Sequence, residues 1–137
     1  MSESGDRLRP PPAARFAGPE HRLDIGAALT ALRREQHVAY DGHRQVALLH
    51  DDHLRLILFA FDRGGRLREH RAPGMVIIHV LRGSLQVHTP SVTHDLSTGT
   101  AVVLAADVPH DVEALDSADM LLTVALAMPD EEKHAMG

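Results

Sequence analysis

Histidine is the abundant reactive side chain of this protein, 11 of 137 residues, set against no cysteine and a single tyrosine, Tyr40. Imidazole changes charge near neutral pH and is the commonest neutral metal ligand, so histidines that converge can hold a divalent ion or move a proton. Position decides which of them matter. His70 closes the segment Gly64-Gly65-Arg66-Leu67-Arg68-Glu69-His70, read as a turn followed by a strand. His110 follows Val108-Pro109, a proline-set turn, and opens the next β-type run. Two histidines at the mouths of two strands can meet inside a closed β-structure although 40 positions separate them. The missing cysteines exclude disulfides, thiolate metal sites and thiol nucleophiles. No Ser-His-Asp set and no glycine-rich phosphate loop is legible.

The elements that must position these histidines are short. From about residue 38 to residue 127 the chain runs in β-type stretches: VALLH (46–50), LRLILFAF (54–61), MVIIHVLR (75–82), SLQVHT (84–89), TAVVLA (100–105), HDVEAL (110–115) and MLLTVALA (120–127). Between them lie turn-forming residues, among them Asp51-Asp52, Gly64-Gly65, Pro73-Gly74, Gly83, Ser97-Thr98-Gly99 and Asp116-Ser117. Seven or more strands at this spacing, with no long helix between them, predict an all-β antiparallel sandwich or barrel. Before the strands, Asp24 is a candidate N-cap, and Ile25, Ala28, Leu29 and Leu32 share one helical face. That short helix is expected to lay its apolar stripe on the barrel, with Arg33, Arg34 and Glu35 exposing its end.

A single domain over residues 21–128 is expected, flanked by a Pro- and Arg-rich tail (1–20) and a solvated C-terminal tail (129–137). No apolar stretch approaches the roughly 20 residues that cross a bilayer, so no membrane partner is expected. Charge and proline occupy the first residues where a signal peptide has an apolar segment, which points to the cytoplasm. A formal net charge of −5 gives no footprint for nucleic acid.

The stretch from Gly64 to Leu122 resembles the cupin superfamily. The first motif of that family runs glycine, five residues, His-x-His, a three- or four-residue spacer, an acidic ligand, six residues, glycine; Gly64, His70 and Gly83 match it. The second runs glycine, five residues, Pro-x-Gly, two residues, histidine, three residues, asparagine; Gly99 and His110 match it. The resemblance implies a double-stranded β-helix, or jelly-roll, barrel with His70 and His110 as metal ligands. It also implies where the motif is broken. The second histidine falls on Ala72, the acidic ligand on Val76 (or on Met75 or Ile77 if the spacing slips by one), the Pro-x-Gly turn on Ala105-Ala106-Asp107 and the asparagine on Ala114. Two of the four usual ligands remain, which leaves half a coordination sphere to water or ligand and predicts a weaker, more exchangeable ion. Iron, manganese, nickel, zinc and copper are not distinguished by such a set.

Other residues are weighed against that frame. His79 is the candidate third ligand, but if Val76 faces inward then Ile78 and Val80 do too, and His79 points outward unless a bulge reverses the parity. Glu69, next to His70, is expected to face away from the site. His88 and His94 flank the loop 89–93 and are expected in solvent; His50-Asp51-Asp52-His53 reads as a polar hairpin tip and Asp107 as a turn residue. The resemblance implies a mostly apolar cavity lined by Met75, Val76, Ile78, Val80, Leu104 and Val112, suited to a small, partly hydrophobic ligand. Two functions fit: a metal-dependent enzyme of oxygenase or isomerase type, or a small-molecule binding or sensing domain without metal. By analogy with small barrels of this family, a homodimer is expected, pairing sheets or exchanging residues 38–50.

Overall fold

A computed structural model describes residues 18–36 and 39–126, and among these described residues the chain forms nine strands and one helix. Most of the expected N-terminal tail and all of the expected C-terminal tail lie outside the described residues. The helix α1 (Ile25–Arg33) starts where the sequence predicts, and the Asp24 side chain accepts the Ala27 backbone N–H at 2.9 Å. Its buried residue, Leu32, is where the helix lies over the first two strands. Arg33 departs from the expected solvated end: it turns back to the carboxylate of Asp119, which is 5% exposed, and donates to the Ala118 carbonyl at 3.1 Å. Arg82 grips the other oxygen of the same carboxylate at 2.9 Å. Helix and sheet are therefore joined through a charge-assisted bridge as well as an apolar stripe.

The strands are β1 (His43–His50), β2 (Leu54–Phe61), β3 (Arg66–His70), β4 (Met75–Arg82), β5 (Ser84–His88), β6 (Thr93–Ser97), β7 (Ala101–Leu104), β8 (His110–Ala114) and β9 (Ala118–Ala125). They form two antiparallel sheets, ordered β1-β2-β9-β4-β7 and β3-β8-β5-β6, packed face to face as a jelly roll. Alternation is clear in β4, where Val76, Ile78 and Val80 are buried and Met75 and Ile77 exposed. Residues of both inner faces, among them Phe59, Phe61, Ile78, Leu85, Val87, Val112 and Met120, meet in one core. Between β4 and β5, Gly83 holds φ +90° with Ser117 and Ala118 pressed against it, so a residue with a Cβ would be both strained and crowded there.

Strand β6 follows the expected loop 89–93 and overlaps it at Thr93, where the sequence reading marks no strand. Only Leu96 of Thr93–Ser97 is buried, because β6 is an edge strand with one inward apolar residue and carries almost no periodic signal. His88 and His94 are consequently half-buried strand residues, and His88 meets the Asp111 carboxylate opposite it at 2.5 Å. The polar tip at 51–53 and the turn at Asp107, with φ +65°, agree with the sequence reading.

Candidate functional site

His70 and His110 are cross-strand partners on β3 and β8, and their ring centroids lie 4.2 Å apart. What brings them to one face is an irregularity in β3. Leu67 pairs with Val112 and His70 with His110, so three steps on β3 match two on β8. The extra residue is a β-bulge, and it reverses the parity of the strand end. Without it, inward Leu67 would send His70 outward; with it, Leu67 and His70 share the inner face. Arg68, within the bulge, is tied to Asp41 at 2.9 Å, and Glu69 is exposed, as expected.

Each imidazole is oriented by backbone. Nδ1 of His70 lies 2.9 Å from the Arg68 carbonyl and Nδ1 of His110 3.0 Å from the Val108 carbonyl. A carbonyl only accepts, so both Nδ1 atoms carry a proton, and in the neutral form of either ring the lone pair lies on Nε2. Nε2 of His110 is buried and meets no hydrogen-bond partner, in a residue only 2% exposed. An enclosed lone pair without a donor is costly, and a cation or a donor group beside it would remove that cost. Burial also pushes the His110 pKa below its usual value, aided by His70 and opposed by the Val108 hydrogen bond and by Asp111. The imidazole is thus held in its neutral, ligating form.

A cavity of about 390 Å³ opens beside His70. Its apolar wall comes from Ile57 and Phe59 of β2, Leu67, Val76, and Leu122 and Val124 of β9. Ala72 and Val76, where the family motif would set two further ligands, also line it, so methyl groups stand where donors would be. This lining corrects the sequence expectation. Met75 is 53% exposed on the outer face, and Ile78, Val80, Leu104 and Val112 belong to the packed core rather than the cavity. His79 does not join the pair either: it shares the outward parity of Met75 and Ile77, opposite Leu121 and Ala101. Among the described residues no group of three or more histidine or carboxylate side chains clusters as a metal site.

Sequence reasoning missed the polar part of the lining: Gln45, Arg55 and Arg71. Arg55 was legible in principle. It shares the parity of Ile57, Phe59 and Phe61 in LRLILFAF, so an inward β2 face carries one guanidinium among apolar residues.

Residues 55–132 match the family of AraC-like ligand binding domains. A comparison with curated proteins gives no match. Among solved structures, the chain is similar to a conserved protein of unknown function from Streptococcus pyogenes, at 22% identity over 83% of this chain and 96% of that one, with a TM-score of 0.66. A cupin superfamily protein from Desulfitobacterium hafniense shares 19% identity over 80% and 94% of the two chains, with a TM-score of 0.65. KdgF from Halomonas sp. shares 22% over 69% and 88%, with a TM-score of 0.59. At these identities the likeness is one of fold.

Proposed function

The chain belongs to the AraC-like ligand-binding domain family of cupin barrels, and on that premise we propose that it takes a small, partly apolar molecule into the cavity beside His70 while His70 and His110 hold a divalent transition metal. The observation that supports the metal most directly is the enclosed, unpartnered Nε2 of His110, 4.2 Å in ring separation from a second imidazole whose Nδ1 is likewise held by a backbone carbonyl. Two imidazoles leave the remaining coordination positions to water or to the molecule in the cavity, so the ion exchanges readily. When bound, such an ion polarises a carbonyl or enediol oxygen of a ligand. The protein supplies the rest: carbonyl-fixed rings, an apolar wall and a 390 Å³ space of the size that small-molecule sites occupy.

Calorimetric titration of chelator-treated protein with Mn²⁺, Ni²⁺ and Zn²⁺ tests this reading. One ion per chain is expected, with affinity weakened about tenfold or more by either His70→Ala or His110→Ala and unchanged by His79→Ala. Uptake that survives both single substitutions overturns it.

A metal-free binding or sensing domain is the second reading. It is favoured by the absence of a third ligating side chain among the described residues. Small-molecule binding that persists in both histidine variants without metal supports it. As a further part of the proposal, the protein is a homodimer that pairs the outer faces of its larger sheet, where Ile77 and Val103 are cross-strand neighbours, 38% and 54% exposed, beside exposed Met75.

A further inference from the structure

We propose that the molecule held in this cavity is a carboxylate with an apolar body, and that Arg55 is the residue that recognises its charged end; this rests on the reading of the cavity as a small-molecule site and specifies its ligand class. Arg55 lies on the inner face of β2, two residues before Ile57 and four before Phe59, and all three line the cavity. Its cross-strand neighbour on β9, Val124, lines it too. The Arg55 Nε is enclosed and meets no acceptor. Among the described residues no carboxylate pairs with this side chain.

Inward-facing arginine on an apolar strand is an expensive choice unless something answers its charge. The cavity lining contains no Asp or Glu, although the chain as a whole carries a net charge of −5. It contains a second guanidinium, Arg71, on the segment 71–73 at the cavity edge, together with the Gln45 amide and the His70 ring. Cationic and donor groups thus face a space whose remaining walls are Ile57, Phe59, Leu67, Val76, Leu122, Val124 and aliphatic neighbours. A guanidinium offers two parallel donors that match a carboxylate, and Nε is one of the five N–H donors that form this fork. A neutral sugar would leave the arginine charge unanswered and set hydroxyls against the apolar wall. A phosphate would answer the guanidinium charge but bring no hydrocarbon body, and so leave the apolar wall unused. A monocarboxylate with a hydrocarbon body satisfies both halves of the lining.

The test uses full-length protein, with chelator present, titrated with benzoate, phenylpropionate and octanoate and with the corresponding neutral amides. At least one carboxylate is expected to bind about tenfold or more tightly than its amide. Arg55→Gln is expected to erase that preference, and Arg55→Lys to keep part of it, since charge remains and the fork is lost. The ligand-free melting temperature of Arg55→Gln is expected to match or exceed the wild type, because an unanswered charge is removed; a merely structural arginine would lower it. Equal binding of acids and amides, an acid preference that survives Arg55→Gln, or no binding of any of the three acids overturns the proposal. Metal titration of the same protein separates the two readings: acid binding that depends on Arg55, with no uptake of Mn²⁺, Ni²⁺ or Zn²⁺ at the histidine pair, upholds the ligand class while removing the metal from it. Metal uptake at the histidine pair without acid binding does the reverse.

Discussion

His110 has three constraints on one ring: enclosure by the barrel, a proton fixed on Nδ1 by the Val108 carbonyl, and a second imidazole face to edge beside it. Enclosure dominates, and it favours the neutral form. The unfolded chain therefore takes up a proton at this residue at a higher pH than the folded chain does. As pH falls through about 6.5, the ordinary histidine value, the unfolded state binds more protons and folding stability declines until the buried ring is itself protonated. For chelator-treated protein, the melting temperature should fall between about pH 7 and pH 5, and less steeply in His110→Gln. Equal slopes for the two proteins would show that another group governs the decline. At the same scale, Arg55 and Ala72 show how much a single residue decides: one supplies a charge inside an apolar cavity, the other a methyl where the family motif has a ligand.

The decisive element is β3. A regular strand from Leu67 would send the His70 ring outward, so the histidine pair depends on one extra residue in the bulge. Deleting Glu69, which is exposed, should leave the barrel folded and remove the bulge together with the need for it: Leu67 and His70 would then stand two steps apart, opposite Val112 and His110, also two steps apart, on the same inner face. Retained metal uptake with an unchanged far-ultraviolet dichroism spectrum is the expected outcome, and loss of uptake in a folded variant would show that register does not set the direction of residue 70. The turns give a second, graded prediction. Gly83 and Gly99 both have positive φ, +90° and +84°, but a Cβ at 83 would lie 2.4 Å from the Ser117 carbonyl oxygen while one at 99 meets nothing within 4 Å. Gly99→Ala should cost about 1 kcal/mol, the strain of a left-handed residue alone. Gly83→Ala adds a backbone clash and should cost more than about 2 kcal/mol in denaturant unfolding.

For the molecule as a whole, two sheets with one shared core leave an apolar outer surface at Met75, Ile77 and Val103. Because these side chains contribute nothing to the core, Ile77→Lys with Val103→Lys should leave thermal stability within about 1 kcal/mol of the wild type. The same pair should convert the proposed dimer to a monomer in sedimentation, since like charges would face each other across a symmetric interface. A wild type that sediments as a monomer would remove the dimer from the proposal.

Taken alone, the amino-acid sequence determined what depends on near neighbours. Asp24 and the spacing of Ile25, Ala28, Leu29 and Leu32 specified a capped helix, and alternation with turn residues specified most strands. Two matched motif positions singled out His70 and His110. Tertiary structure decided whatever depends on register between distant segments. The bulge that aims His70, the edge strand β6 with its one buried residue, and the convergence of Arg55 with His70 on one cavity all arise from pairings across the sheets. Side-chain direction in a strand has a period of two, so a single inserted residue inverts it, and local pattern carries no record of where that insertion falls.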